Sequence, residues 1–121
     1  MARYAFQLRI GSGMEAEYDR RHLAVWDDLL RDLSAAGVRE YSIFRRGQQI
    51  FLYLHVDSFD AFLERMRSSD ANARWQAMMA PLFEPVPDLR QDEQVAMMQE
   101  VFYMQGDAAG PPVQPTQTGD V

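Results

Sequence analysis

From Arg3 to Ile10 the chain alternates, with Tyr4, Phe6, Leu8 and Ile10 facing one way and Arg3, Ala5, Gln7 and Arg9 the other. A period of two marks a half-buried strand. Gly11-Ser12-Gly13 breaks the alternation. Ser12 followed by Glu15 fits a capping box, with the Ser oxygen on a free N–H of the first turn and Glu15 reaching back. The period then lengthens to that of a helix. Met14, Tyr18, His22, Val25, Trp26, Leu29, Leu30 and Leu33 share one stripe, so the spacing predicts one helix from about Gly13 to Ala36. Gly37 suits the left-handed residue that ends a helix.

Val38 to Arg46 reads as a second strand, with Tyr41, Ile43 and Arg45 on one face and Ser42 and Phe44 on the other. Arg46-Gly47-Gln48 is a turn, and Gln49 to Val56 a third strand in which Leu52, Leu54 and Val56 oppose Phe51, Tyr53 and His55. So short a connection makes an antiparallel hairpin. Asp57 or Ser58 caps a helix whose face is Phe59, Phe62, Leu63 and Met66. Ser68-Ser69-Asp70 interrupts it. A further helix from about Ala71 aligns Ala71, Trp75, Met78, Met79 and Leu82, and Pro81 ends it by removing a donor. Residues 88–97 read as a loop with at most one helical turn. Gln99 to Met104 reads as the last strand.

The order is strand, helix, strand, strand, helix in two pieces, strand. That is an α+β chain of ferredoxin-like βαββαβ type, a four-stranded antiparallel sheet with its helices on one face. Ala5, Gln7, Tyr53 and Val101 fall on the helix-free face, which is too apolar to stay wet. A second copy of the chain is the simplest cover, so a homodimer is expected. The body spans residues 1–105. Residues 106–121 are rich in Gly, Pro and small side chains and read as a mobile tail.

Composition narrows the function. The chain has 121 residues, enough for one domain, with 47% hydrophobic and 25% charged residues. A net charge of −6 argues against nucleic acid, which needs a basic surface. No apolar run approaches a membrane span, and the first residues lack the organisation of a signal peptide. With no cysteine and two histidines, thiol chemistry and a multi-histidine metal site within one chain are not expected, and the cytoplasm is the expected compartment.

The chemistry gathers at Tyr18, His22 and Trp26, four residues apart on the first helix. Tyr41 and Trp75 converge on the same cleft from the second strand and the last helix. Imidazole is the side chain that moves protons near neutral pH, and aromatic walls suit the C–H faces of a sugar ring. Two readings stay open from spacing alone: an acid/base group in a carbohydrate pocket, or a core histidine with a satisfied hydrogen bond. Arg20 and Arg21 read as a solvated face.

Glu17-Tyr18-Asp19-Arg20-Arg21-His22 with Trp26, Gly37 with Tyr41-Ser42-Ile43, Arg74-Trp75, and Gln99-Glu100-Val101-Phe102-Tyr103 together resemble the L-rhamnose mutarotase family over residues 3–104. The resemblance implies a dimeric α/β barrel of ferredoxin-like subunits. It implies exchange of the α and β anomers of a 6-deoxy-L-sugar, with no metal or organic cofactor. It casts His22 as proton donor, and Tyr18, Tyr41 and Trp75 as sugar-binding residues, with Trp26 beside them. The family pattern has a second Trp where this chain has Gln76. An amide hydrogen-bonds but offers no indole face, which opens L-fucose as an alternative to L-rhamnose. Two other functions share this scaffold or pocket: a cofactor-independent monooxygenase acting on polycyclic aromatics, and a sugar-binding module in which His22 moves no proton.

Overall fold

The computed structural model describes residues 2–93, 95–107 and 110–113. β1 (Ala2–Ile10) is followed by α1 (Glu15–Arg21), a 3₁₀ turn at His22–Ala24, and α2 (Asp27–Ala35). β2 (Val38–Arg46) and β3 (Gln49–Val56) form the hairpin, with Gly47 at φ +59° in its turn. α3 (Phe59–Arg67) and α4 (Asp70–Met79) follow, then β4 (Phe83–Glu84) and β5 (Ala96–Met98). β6 (Gln105–Asp107) and β7 (Gly110–Val113) pair with each other.

The main sheet runs β2-β3-β1-β4, with β5 also on β1, and every pairing in it is antiparallel. This is the ferredoxin-like order. Tyr4 sits opposite Leu54, Phe6 opposite Leu52 and Leu8 opposite Ile50, so the alternation of β1 and β3 builds one apolar face. Ile10, Ile50, Leu54 and Val56 are buried under the helices, with Leu29, Met66, Trp75 and Met79 coming down to meet them. Among the described residues, no helix is long and apolar enough to cross a membrane.

Three expectations need correction. The first helix is not continuous: Val25 and Trp26 are extended, at ψ 136° and 138°, and split it. Branched and aromatic side chains are weak helix formers, and Asp27 and Asp28 suit the positive N-terminus of a new helix. Ser12 caps nothing. Met14 holds the cap position without a side-chain bond, and Glu15 accepts from the Gly13 N–H at 3.0 Å, leaving only the reaching-back half of the box. The last strand lies earlier than the pattern predicts. The lane beside β1 is made of β4, opposite Arg9 and Ile10, and β5, opposite Ala5 to Gln7. Gln99 to Met104 carry no ladder. Side chains hold that segment instead: Arg3 pairs with Glu100 at 3.0 Å, and its guanidinium lies 3.3 Å from the centre of the Tyr103 ring.

Of the segment read as a tail, residues 106–107 and 110–113 lie in strands β6 and β7, and 108–109 and 114–121 lie outside the described residues.

The interruption between α3 and α4 is a built joint. Ser58 caps α3 through Ala61 N–H, and Ser69 caps α4 through Asn72 N–H at 3.0 Å. Ser69 is buried, and its hydroxyl also donates to Asp32 of α2 at 2.6 Å. One hydroxyl thus caps a helix and ties it to another. Ser69→Ala leaves both partners unmet and should cost about 1–3 kcal/mol, read as a lower urea midpoint at unchanged slope. An unchanged midpoint would show that water replaces both bonds.

Candidate active site

Tyr18 lies in α1, inside the core, and His22 opens the 3₁₀ turn that follows. Their rings are 4.5 Å apart, centre to centre. His22 Nδ1 is 2.9 Å from the Tyr18 carbonyl oxygen. A carbonyl only accepts, so Nδ1 carries the hydrogen. In the neutral ring Nε2 is then the basic nitrogen, and the backbone of α1 has selected the tautomer.

Trp75, buried on α4, stands edge-on to His22 at 5.5 Å and to Trp26 at 5.2 Å. Trp26 does not stack one turn beyond His22 as a straight helix would require. The break at Val25 and Trp26 swings its indole behind Trp75, away from the walls of the cavities described below. Arg74 lies 5.3 Å from the centre of the Trp26 ring and is held by Asp28 at 2.8 Å and Asp70 at 2.9 Å.

A cavity of about 360 Å³ opens between helices and sheet, walled by Tyr18, His22, Tyr41, Asn72, Trp75 and Gln76 together with apolar side chains. A second, of about 300 Å³, shares His22, Tyr41 and Trp75 and continues towards Val25, Leu29 and Leu30. Five of the six residues picked from the sequence therefore line one space, and Trp26 braces it from behind. Asn72 was missed, because a polar residue early in a helix reads as surface. His55 is on the opposite face of the sheet, its Nδ1 3.6 Å from Glu40.

Two arginines fix α1 in place, and neither tie was visible in the sequence. Arg21 is half-buried rather than solvated. It donates to the Met78 carbonyl of α4 at 2.7 Å and to Glu17 at 2.5 Å. Arg45 of β2 grips Asp19 at 2.5 and 2.7 Å. Glu17 also takes Arg20, and the two guanidinium groups hold its carboxyl down at about 2.

The phenols shift the other way. Burial pushes Tyr18 far above the ordinary phenol range, with the neighbouring Tyr41 and Asp19 adding to it. Tyr41 is 42% exposed, and desolvation of its hydroxyl pushes it up to about 12. Both phenols are therefore neutral hydrogen-bond donors at physiological pH. The walls offer one proton-cycling nitrogen, two neutral phenols, two amides and an indole. Such a set combines the hydrogen-bonding groups and the flat apolar wall that a neutral polyhydroxylated ring requires of a pocket.

Comparison with known proteins places this geometry. The family model described as L-rhamnose mutarotase matches residues 3–104. The L-rhamnose mutarotase of Opitutus terrae is 34% identical over 106 residues, 86% of this chain and 99% of that protein. That of Burkholderia orbicola is 33% identical over 107 residues, 87% of this chain and 100% of its own length. The crystal structure of the Formosa agariphila L-rhamnose mutarotase superposes with a TM-score of 0.70 at 27% identity, covering 87% of this chain and 100% of that one. Tetracenomycin F2 cyclase from Streptomyces glaucescens shares the fold at a TM-score of 0.53 and 19% identity, covering 88% of this chain and 99% of its own. The chain belongs to the L-rhamnose mutarotase family.

Proposed function

We propose that this protein interconverts the α and β anomers of a 6-deoxy-L-hexose, L-rhamnose first and L-fucose as the alternative that Gln76 opens, with His22 as the proton donor. The observation that carries the reading is the His22 tautomer, locked by the Tyr18 carbonyl inside a cavity walled by Trp75 and Tyr41. Opening a hemiacetal needs a proton on the ring oxygen as its bond to the anomeric carbon breaks, and loss of the proton from the anomeric hydroxyl. Protonated His22 supplies the first from Nε2, and water accepts the second. The open aldehyde rotates and closes on its other face, and both protons return. Tyr18 and Tyr41, held neutral, hydrogen-bond the sugar rather than act as bases. Trp75 packs against its C–H face. We assign the reaction to the cytoplasm because the chain has no cysteine, whereas small secreted domains commonly carry disulfides.

The experiment is anomeric proton exchange by NMR at saturating L-rhamnose, for wild type and His22→Asn. Loss of one positioned acid/base group costs about 10²–10⁴ in rate, so the variant should bind sugar but exchange anomers at least a hundredfold more slowly. A folded variant with the wild-type rate would make His22 structural. A wild type that binds sugar without speeding exchange would make the protein a binding module.

Neutral phenols also fix the alkaline behaviour. Their ionisation is raised, so the protonated form persists above the pH, about 10, at which an ordinary phenol is half ionised. Sugar affinity, which the two hydroxyls serve, should stay level up to about pH 10.5. A fall centred near 10 would mean that one hydroxyl is open to bulk water.

We further infer that two copies associate through the helix-free sheet face. Phe44 is 64% exposed and Met98 45% exposed on it, beside Phe51, Tyr53 and Ala5. So contiguous an apolar face is unusual on a monomer. Light scattering at micromolar concentration should give twice the chain mass of 14.0 kDa. A single-chain mass would reject the dimer.

A further inference from the structure

Asn72 and Gln76, four residues apart on α4, both line the 360 Å³ cavity. Gln76 Nε2 donates to Asn72 Oδ1 at 3.3 Å, and Asn72 Nδ2 donates to the Met66 carbonyl at 3.5 Å. The direction of this ladder is imposed from its buried end. A backbone carbonyl only accepts. It draws the Nδ2 side of Asn72 towards it and turns Oδ1 to Gln76. An acceptor at that point draws the Nε2 side of Gln76. The outward end of the ladder is then Gln76 Oε1, an acceptor. The start of the ladder is anchored as well, because the Asn72 N–H is held by the Ser69 hydroxyl.

We propose that Asn72 is a positioning residue that presents Gln76 Oε1 to the cavity as a fixed acceptor, so that the site selects sugars offering a hydroxyl donor there over sugars offering a methyl or a hydrogen. The proposal rests on the mutarotase reading and deepens it into a rule of substrate choice. An indole at position 76, as in the family pattern, would present an N–H donor and an apolar face. The amide held this way presents the opposite hydrogen-bonding sense. An unaligned amide would offer either end and discriminate little.

An Asn and a Gln at this spacing also support a helix by themselves, so the test reads sugar preference and not stability. Anomer exchange is followed for pairs of sugars differing by one hydroxyl: L-mannose against L-rhamnose, and L-rhamnose against each of its monodeoxy derivatives. In the wild type, removing one particular hydroxyl should raise KM about threefold to tenfold, the worth of one neutral hydrogen bond. In Gln76→Leu that same removal should no longer be felt. Asn72→Ala should follow Gln76→Leu, with KM raised more than kcat is lowered. Asn72→Asp, which still accepts from Gln76 Nε2, should restore the wild-type preference. The same preference in wild type and Asn72→Ala would overturn the positioning role. Equal sensitivity to every hydroxyl in wild type and Gln76→Leu would overturn the proposal whole, and Gln76 is exposed enough for that variant to fold whatever Asn72→Ala does. A wild type that speeds exchange of none of the sugars overturns the mutarotase reading and this rule with it. An active wild type with unmoved preferences overturns the rule alone.

Discussion

α1 is seven residues long, and a helix of that length does not hold itself in water. Its place must be imposed from outside. Burial of Tyr18 against the core supplies attraction without direction, and the direction comes from Arg21 on the Met78 carbonyl and Arg45 on Asp19. Exposed ion pairs contribute little free energy. The work of the Arg21 hydrogen bond and of the Arg45–Asp19 pair is geometric: the first ties α1 to the helix that carries Trp75, the second to the strand that carries Tyr41. The placing of His22 beside Trp75 and Tyr41 rests on those two ties.

The charge distribution follows the same plan. Guanidinium and carboxylate groups around α1 pair with one another, and among the described residues no Asp, Glu, Lys or Arg lines the cavity. An unpaired fixed charge in the wall would cost desolvation. The raised phenols belong to this arrangement, since burial that keeps them neutral also keeps them donors.

Strands β1 to β3 were legible because each buries one face, and alternation survives in the residues. The convergence of Tyr18, His22 and Trp75 on one cavity was legible for a similar reason: they combine apolar bodies with polar tips on inward stripes. The break at Val25 and Trp26 was not, because Trp26 continues the helical stripe on paper and the decision is made by packing on Trp75. The last strand was misread because Gln99 to Met104 have strong strand propensity. The ladder went instead to Ala96–Met98, the residues that reach β1 in register. The place of Asn72 in the cavity wall was not legible, because a polar residue early in a helix reads as surface and its bond to the Met66 carbonyl crosses a helix joint.

The divided lane beside β1 separates two properties that most sheets couple. The chain leaves the lane after Glu84 and rejoins it at Ala96, and Val95, at the point of return, lies in the cavity wall. Each piece is registered on β1 by its own pairs, so the length of the excursion is free of the sheet. Lengthening a flexible connection is inexpensive, about 0.6 kcal/mol for a doubling. An insertion between Glu84 and Ala96 would therefore reshape the cavity wall at Val95 while α1 and the strands beneath it stay fixed.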